Sequence, residues 1–276
     1  MPTAPAIDAA PEVERRPYRP RGFLASDAFR RLYPFTSRYL TVNGHRLHYL
    51  DEGSGDPIVL LHGNPTWSFY YRELIKTLRS NFRVVVPDHI GCGLSEKPSL
   101  RRYEYRLEDR VRDLEATLEA LRIDRNVTLV LHDWGGMIGL AYAIRHRHDI
   151  RRLVVTNTSG FHPPIGKAIP GRLRLIRNLQ WFGIPAVLGL NLFARGALFM
   201  APRKRLSPQV KAGLIAPYSR PAYRLATLRF VQDIPLHPGD PGFDQVQEVD
   251  RQLDRMSALP TLICWGRHDF VFDDDY

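Results

Sequence analysis

Val127-Thr-Leu-Val-Leu-His-Asp133-Trp134-Gly135-Gly136 is the stretch on which the reading of this chain turns. Residues 127–131 form a short apolar run that breaks at Asp133 and passes, through two glycines, into a helical pattern reaching Ile144. A strand that turns sharply into a helix lifts one side chain at the end of a parallel sheet, an arrangement known as a nucleophile elbow. Here that side chain is a carboxylate. It can attack a saturated carbon, displace a leaving group and form an ester with the protein. An Asp after a strand is also a common helix N-cap, so the surroundings must choose between the two readings.

Working outward, residues 39–42 and 45–50 read as strands joined by a tight Asn43-Gly44 turn. Further short apolar strands fall at 57–61, 83–87 and 152–156. Helices are expected near 68–78 and over 107–121, where Leu107, Val111, Leu114, Leu118 and Leu121 recur at helical spacing with charges between them. Strands alternating with helices predict an α/β fold with a mostly parallel sheet covered on both faces. The alternation stops after residue 158 and resumes with the apolar run 260–265. The expected organisation is a poorly ordered Pro/Arg-rich extension (1–35), a first part of the core (36–158), an inserted helical cap (159–240), and a second, incomplete part of the core (241–276).

Composition narrows the function classes. With 276 residues, 44% hydrophobic and 25% charged, the chain has ordinary globular composition and can bury a sizeable core. The net charge of +10 comes from basic residues scattered along the chain without a nucleic-acid-binding motif, so a solvated surface is expected rather than nucleic-acid binding. The longest apolar run, 184–200, is interrupted by Pro185, Asn191 and Arg195. It reads as a buried or lid helix rather than a transmembrane segment. No signal-peptide pattern opens the chain, and Cys92 and Cys264 lack metal spacing. A cytoplasmic location and a buried thiol at Cys264 are expected. No metal or dinucleotide signature is present, so no cofactor is expected. The glycines of Gly135-Gly136-x-x-Gly139 suit a tight elbow better than a phosphate loop.

The motif His62-Gly63-Asn64-Pro65 ends the strand before the first core helix. In such an architecture this loop and the residue after the nucleophile each supply an anion-stabilising donor, which assigns the two positions to Asn64 and Trp134. Each also carries a side-chain N–H. Candidate walls of an apolar substrate pocket are Trp67, Phe161, Trp181 and Phe230.

His62-Gly-Asn-Pro-Thr-Trp-Ser, Asp88-His-Ile-Gly-Cys-Gly-Leu-Ser, His132-Asp-Trp-Gly-Gly and Trp265-Gly-Arg-His-Asp together resemble the haloalkane dehalogenase family of α/β-hydrolases, from about Pro34 onward. The resemblance implies Asp133 as nucleophile and Asp269 as the acid that orients a histidine, because Asn157 occupies the alternative acid position. The Asn64, Trp134 and Asp269 set is similar to the third dehalogenase subfamily, a pattern shared with the β-lactone decarboxylases of olefin biosynthesis. Epoxide hydrolases use His-Asp-Trp-Gly-Gly too, with an aromatic residue where Asn64 stands and two cap tyrosines. Tyr218 and Tyr223 fall in the cap region, but nothing marks them as that pair.

One departure stands out: no histidine follows Asp269. His62 and His132 read as local hydrogen-bonding neighbours, His268 abuts the acid, and His237 is a remote candidate. The resemblance therefore implies a chain that stops before the last helix and strand and lacks the base. The leading expectation is halide displacement through a covalent alkyl ester on Asp133, with a small hydrophobic substrate. The alternatives are a β-lactone decarboxylase associating with other olefin-biosynthesis enzymes, an epoxide hydrolase, and a catalytically incomplete or binding protein.

Overall fold

Asn43 and Gly44 both take positive φ, 48° and 80°, the backbone that lets a two-residue turn follow the twist of a hairpin. They join β1 (Arg38–Val42) to β2 (His45–Glu52), with Val42 opposite His45. The computed structural model describes residues 22–163 and 167–276. Within it β3 (Pro57–Leu61), β4 (Arg83–Pro87), β5 (Val127–Asp133), β6 (Ile150–Thr158) and β7 (Thr261–Ile263) complete a seven-stranded sheet of order β1-β2-β4-β3-β5-β6-β7. The first two pairings are antiparallel and the others parallel.

Alternate residues of each central strand enter two separate cores. Val59, Leu61, Val85, Leu129 and Leu131 face one side. Ile58, Leu60, Val84, Val86 and Val130 face the other. This is why these strands read as unbroken apolar runs rather than as alternating ones. The first face is covered by α3 (Leu107–Ala120), α4 (Trp134–Arg145) and α10 (Phe243–Gln252). The second is covered by α1 (Asp27–Leu32), α2 (Arg72–Leu78) and α8 (Pro208–Ile215). Between β6 and β7 the described residues form helices and no strand: α5 (Gly171–Asn178), α6 (Gln180–Ile184), a π-helical turn (Pro185–Gly189), α7 (Leu192–Met200), α8, α9 (Leu225–Gln232) and α10, with short 3-10 turns.

Two expectations are corrected. The extension was expected to be poorly ordered up to residue 35, yet residues 22–35 belong to the fold; 1–21 lie outside the described residues. Ser26 caps α1 by accepting the Phe29 N–H at 3.1 Å. Phe29 then stacks on Tyr33, Trp67 and Phe69 at centroid distances of 5.2, 6.2 and 5.9 Å, and the Tyr33 and Ser68 hydroxyls bond at 2.6 Å. Pro and Arg richness concealed one short aromatic-bearing helix. Phe29→Ala is expected to destabilise the protein by about 3 kcal/mol in urea unfolding, the usual cost of emptying a buried aromatic site. Cys264 is the second correction. It is exposed, because β7 is an edge strand whose three residues all face solvent, whereas Cys92 is the buried thiol.

Candidate active site

At the end of β5 the backbone of Asp133 is held at φ 52°, ψ −128°, where the strand register slips and Asp133 pairs with Thr158. Positive φ is uncommon for a residue with a side chain, and with ψ at −128° Asp133 lies outside the left-handed region that Asp visits, so the conformation is strained. The geometry is held by close packing around it. The Thr158 hydroxyl donates to the Asp133 carbonyl. Gly135 lies so near β3 that an added Cβ would stand 2.0 Å from the Leu61 carbonyl oxygen, and one on Gly63 would stand 2.1 Å from Asp133 Oδ1.

The Asp133 carboxylate therefore points into the space above the sheet, where the Asn64 backbone N–H donates to Oδ1 at 2.6 Å and the Trp134 backbone N–H also bonds it. Burial raises its pKa from the usual 3.8 to about 6, against the opposing pull of those two N–H groups and with help from the charge of Asp269. It is thus ionised at neutral pH but weakly solvated, a suitable state for a nucleophile.

The carboxylate forms part of the wall of a cavity of about 1050 Å³. Asn64, Trp134, Phe161, Asp269 and Tyr70 also line it, together with apolar side chains of α5, α7 and α8. The Asn64 amide nitrogen donates to the Thr227 carbonyl at 3.0 Å, which leaves its second hydrogen over. The Trp134 ring packs on Phe230 at 5.0 Å. Asp269 accepts the N–H groups of Val271 at 2.7 Å and Phe272 at 2.9 Å, which fixes the loop after β7.

A family model described as alpha/beta hydrolase fold matches residues 56–276. The chain belongs to the α/β-hydrolase family. Among curated proteins, this hydrolase is 47% identical over 246 residues to a cis-3-alkyl-4-alkyloxetan-2-one decarboxylase of Shewanella oneidensis, covering 89% of this chain and 77% of the relative. It is 38% identical to the protein of that name in Xanthomonas campestris pv. campestris, covering 88% and 84%. Among solved structures it is similar to the haloalkane dehalogenase DatA of Agrobacterium tumefaciens, with 30% identity, a TM-score of 0.72, and 83% and 78% covered.

Three expected pocket residues of this hydrolase stand elsewhere. Trp67 is fully buried in the aromatic cluster around Phe29 and donates its indole N–H to the Gly213 carbonyl at 3.1 Å. Phe230 lies behind Trp134 rather than in front of it. Trp181 faces solvent and is 76% exposed. Aromatic identity alone does not say which side of a helix meets the cavity. Tyr218 and Tyr223 do not line it, and Tyr218 is buried with its hydroxyl on the Thr66 carbonyl at 3.0 Å.

The histidines divide by environment. His62 is buried, with Nδ1 beside the Gly63 carbonyl at 3.0 Å and Nε2 accepting the His89 N–H at 3.1 Å. This pattern fixes a neutral ring. His132 lines the cavity and stacks on Tyr70 at 4.7 Å; burial, then the neighbouring His62, lower its pKa to about 4. His268 is exposed at the rim, and His237 does not line the cavity. No group of three His, Cys, Asp or Glu among the described residues could hold a metal ion.

Sequence reading missed the support beneath Trp134. Arg110 is buried, with its guanidinium 3.8 Å from the Phe230 ring centroid, 5.3 Å from that of Trp134, and its Nη1 3.5 Å from Asp233. Asp233 also accepts from Arg106 at 3.0 Å and from the Leu107 N–H at 2.8 Å. The signal was present: Arg110 stands three residues after Leu107 and four before Leu114, on the apolar face of α3.

Proposed function

We propose that this protein is a β-lactone decarboxylase that converts cis-3,4-dialkyl oxetanones with long chains into alkenes. The observation that carries the choice is the cavity behind Asp133. At about 1050 Å³, and lined by apolar side chains of α5, α7 and α8, it has room for two alkyl chains around a four-membered ring. The names of the two decarboxylase relatives support the same choice.

On this reading an oxygen of the Asp133 carboxylate attacks ring carbon C4 from the side opposite the ring oxygen. The C4–O bond breaks, an alkyl ester forms, and the freed carboxylate on C3 receives the remaining Asn64 amide hydrogen and the Trp134 indole N–H. The bond from C3 to that carboxylate then breaks. Its electron pair forms the C3=C4 double bond and expels Asp133 from C4 as a carboxylate, while CO2 departs. No water is consumed and the nucleophile is regenerated. The negative charge passes from the substrate carboxylate back to Asp133, and the departure of CO2 makes the step irreversible. Inversion at C4 followed by anti elimination turns a cis lactone into a cis alkene.

A haloalkane would use the same first step, with halide in place of the freed carboxylate, and the likeness to a solved dehalogenase favours it as the second reading. The test supplies the protein with a cis-dialkyl lactone and, separately, a 1-bromoalkane, and measures alkene by gas chromatography and bromide by ion chromatography. Cis alkene without bromide is expected. Bromide release from folded protein that leaves the lactone intact overturns the reading.

The pH profile follows from Asp133. Only its carboxylate attacks, so alkene formation is expected to be flat above pH 7 and to fall about tenfold per unit below a limb near pH 6. A limb near 4, read from initial rates between pH 4.5 and 8, would contradict the desolvated position of this group.

A further inference from the structure

Residues 150–232 contain fourteen Lys and Arg and not one Asp or Glu, so the rest of the chain carries more acid than base. The whole positive excess therefore lies in one segment, which runs from β6 through the helices that roof the cavity. Of these bases, Arg151 pairs with Asp56, Lys167 with Asp273 and Arg177 with Asp240. Arg172, Arg174, Arg195, Arg203, Lys204 and Arg205 are exposed and, among the described residues, have no acidic partner.

The same helices expose large apolar side chains. Trp181 is 76% exposed, Phe199 70% and Leu190 64%, and Ile184, Leu192 and Met200 stand beside them along α6 and α7. Among the described residues, no single helix is long and apolar enough to cross a membrane. Trp181–Gly189 and Leu192–Met200 together have the length and composition of a span but are bent 73° to each other. Aromatic and aliphatic tips ringed by arginine and lysine are what an interfacial segment presents to the headgroup layer. The patch is also continuous with the cavity. Leu192, Met200, Arg172 and Arg203 belong to both, and an Arg172 guanidinium nitrogen lies 3.4 Å from the Met200 sulfur.

We propose that the outer face of α6 and α7 docks on an anionic lipid bilayer, so that a water-insoluble substrate passes from the acyl layer into the cavity without crossing water. The charge asymmetry selects anionic lipid, and the shared rim residues give the docking its use. The benefit to catalysis rests on the proposed lactone chemistry; the docking itself does not.

The test is co-sedimentation of the folded protein with phosphatidylcholine vesicles, with or without phosphatidylglycerol. Binding is expected only with phosphatidylglycerol and is expected to weaken with added salt. Arg203→Ser, Lys204→Ser and Arg205→Ser together should weaken it on the order of a hundredfold. Trp181→Ser with Phe199→Ser should weaken it roughly tenfold or more. These are exposed positions, where substitution leaves the fold intact. Absence of binding to the phosphatidylglycerol vesicles overturns the proposal. So does a wild-type dimer in sedimentation velocity that fails to bind vesicles and becomes monomeric in the Trp181/Phe199 variant, since the face then belongs to a second copy. Alkene release from detergent-dispersed lactone reads the chemistry separately, so loss of either property is distinguishable from loss of the other.

Discussion

Asp133→Asn is expected to abolish alkene formation and any ester adduct visible by intact mass, a loss on the order of 10⁴-fold or more, and at the same time to make the protein more stable. The two effects share one cause. An amide has no charged oxygen with which to attack C4, but its carbonyl oxygen can still accept the Asn64 backbone N–H that bonds Oδ1. Asn, the same shape as Asp, meets the same backbone strain at the elbow and adds none. The stability gain follows from linkage. The folded pKa of Asp133 lies about two units above its ordinary value, so the fold disfavours the ionised form. That penalty is absent below pH 3.8, grows between 3.8 and 6, and is complete above 6. Its full size is about 3 kcal/mol, and about half of it is present at pH 5. Urea unfolding of both proteins at pH 7.5 and pH 5 measures it. A variant that is inactive but no more stable at pH 7.5 would mean that the carboxylate is well solvated, which removes the physical basis for its reactivity.

What was legible in the sequence, and what was not, follows from the range over which each signal acts. The central strands β3, β4 and β5 were readable because their residues are buried on both faces, so each is a bounded apolar run. The Asn43-Gly44 hairpin was readable because its turn requires two positive φ angles. The backbone around Asp133 is also encoded locally, by glycines whose neighbours leave no room for a side chain. Pocket walls are different. Trp67, Phe230 and Trp181 have the right chemistry, but one is buried behind the loop, one lies behind Trp134 and one faces out. Which face of a helix meets a cavity depends on how several helices pack against each other, and no short window contains that information. Arg110 was missed for the complementary reason. A charge on an apolar face is normally discounted as solvated, yet here Asp233, more than a hundred residues away, permits its burial.

Gly135→Ala tests whether the elbow itself depends on a missing methyl group. In helix α4 an alanine is intrinsically favoured over glycine by about 1 kcal/mol, so helix propensity predicts a gain. Packing predicts the reverse. The new Cβ would stand 2.0 Å from the Leu61 carbonyl oxygen and 2.5 Å from its carbonyl carbon, both backbone atoms of β3. Leu61 pairs with Leu131 in the interior of the sheet, so the strand cannot retreat without breaking its ladder. The helix must move instead, carrying with it the Trp134 N–H and the Asp133 carboxylate. A net destabilisation of about 4 kcal/mol or more is expected in urea unfolding, with loss of activity in whatever protein remains folded. Gly136→Ala provides the contrast. Its Cβ meets the Thr158 side chain rather than a backbone, 1.8 Å from Oγ1 and 2.8 Å from Cβ; a rotamer change relieves the first contact at the cost of the bond to the Asp133 carbonyl, and a small shift of Thr158 must relieve the second. It should therefore be the milder of the two in stability while still lowering activity. Equal costs for both, or a gain for Gly135→Ala, would show that propensity outweighs the contact with β3 and that the elbow is not held by the closeness of helix and strand.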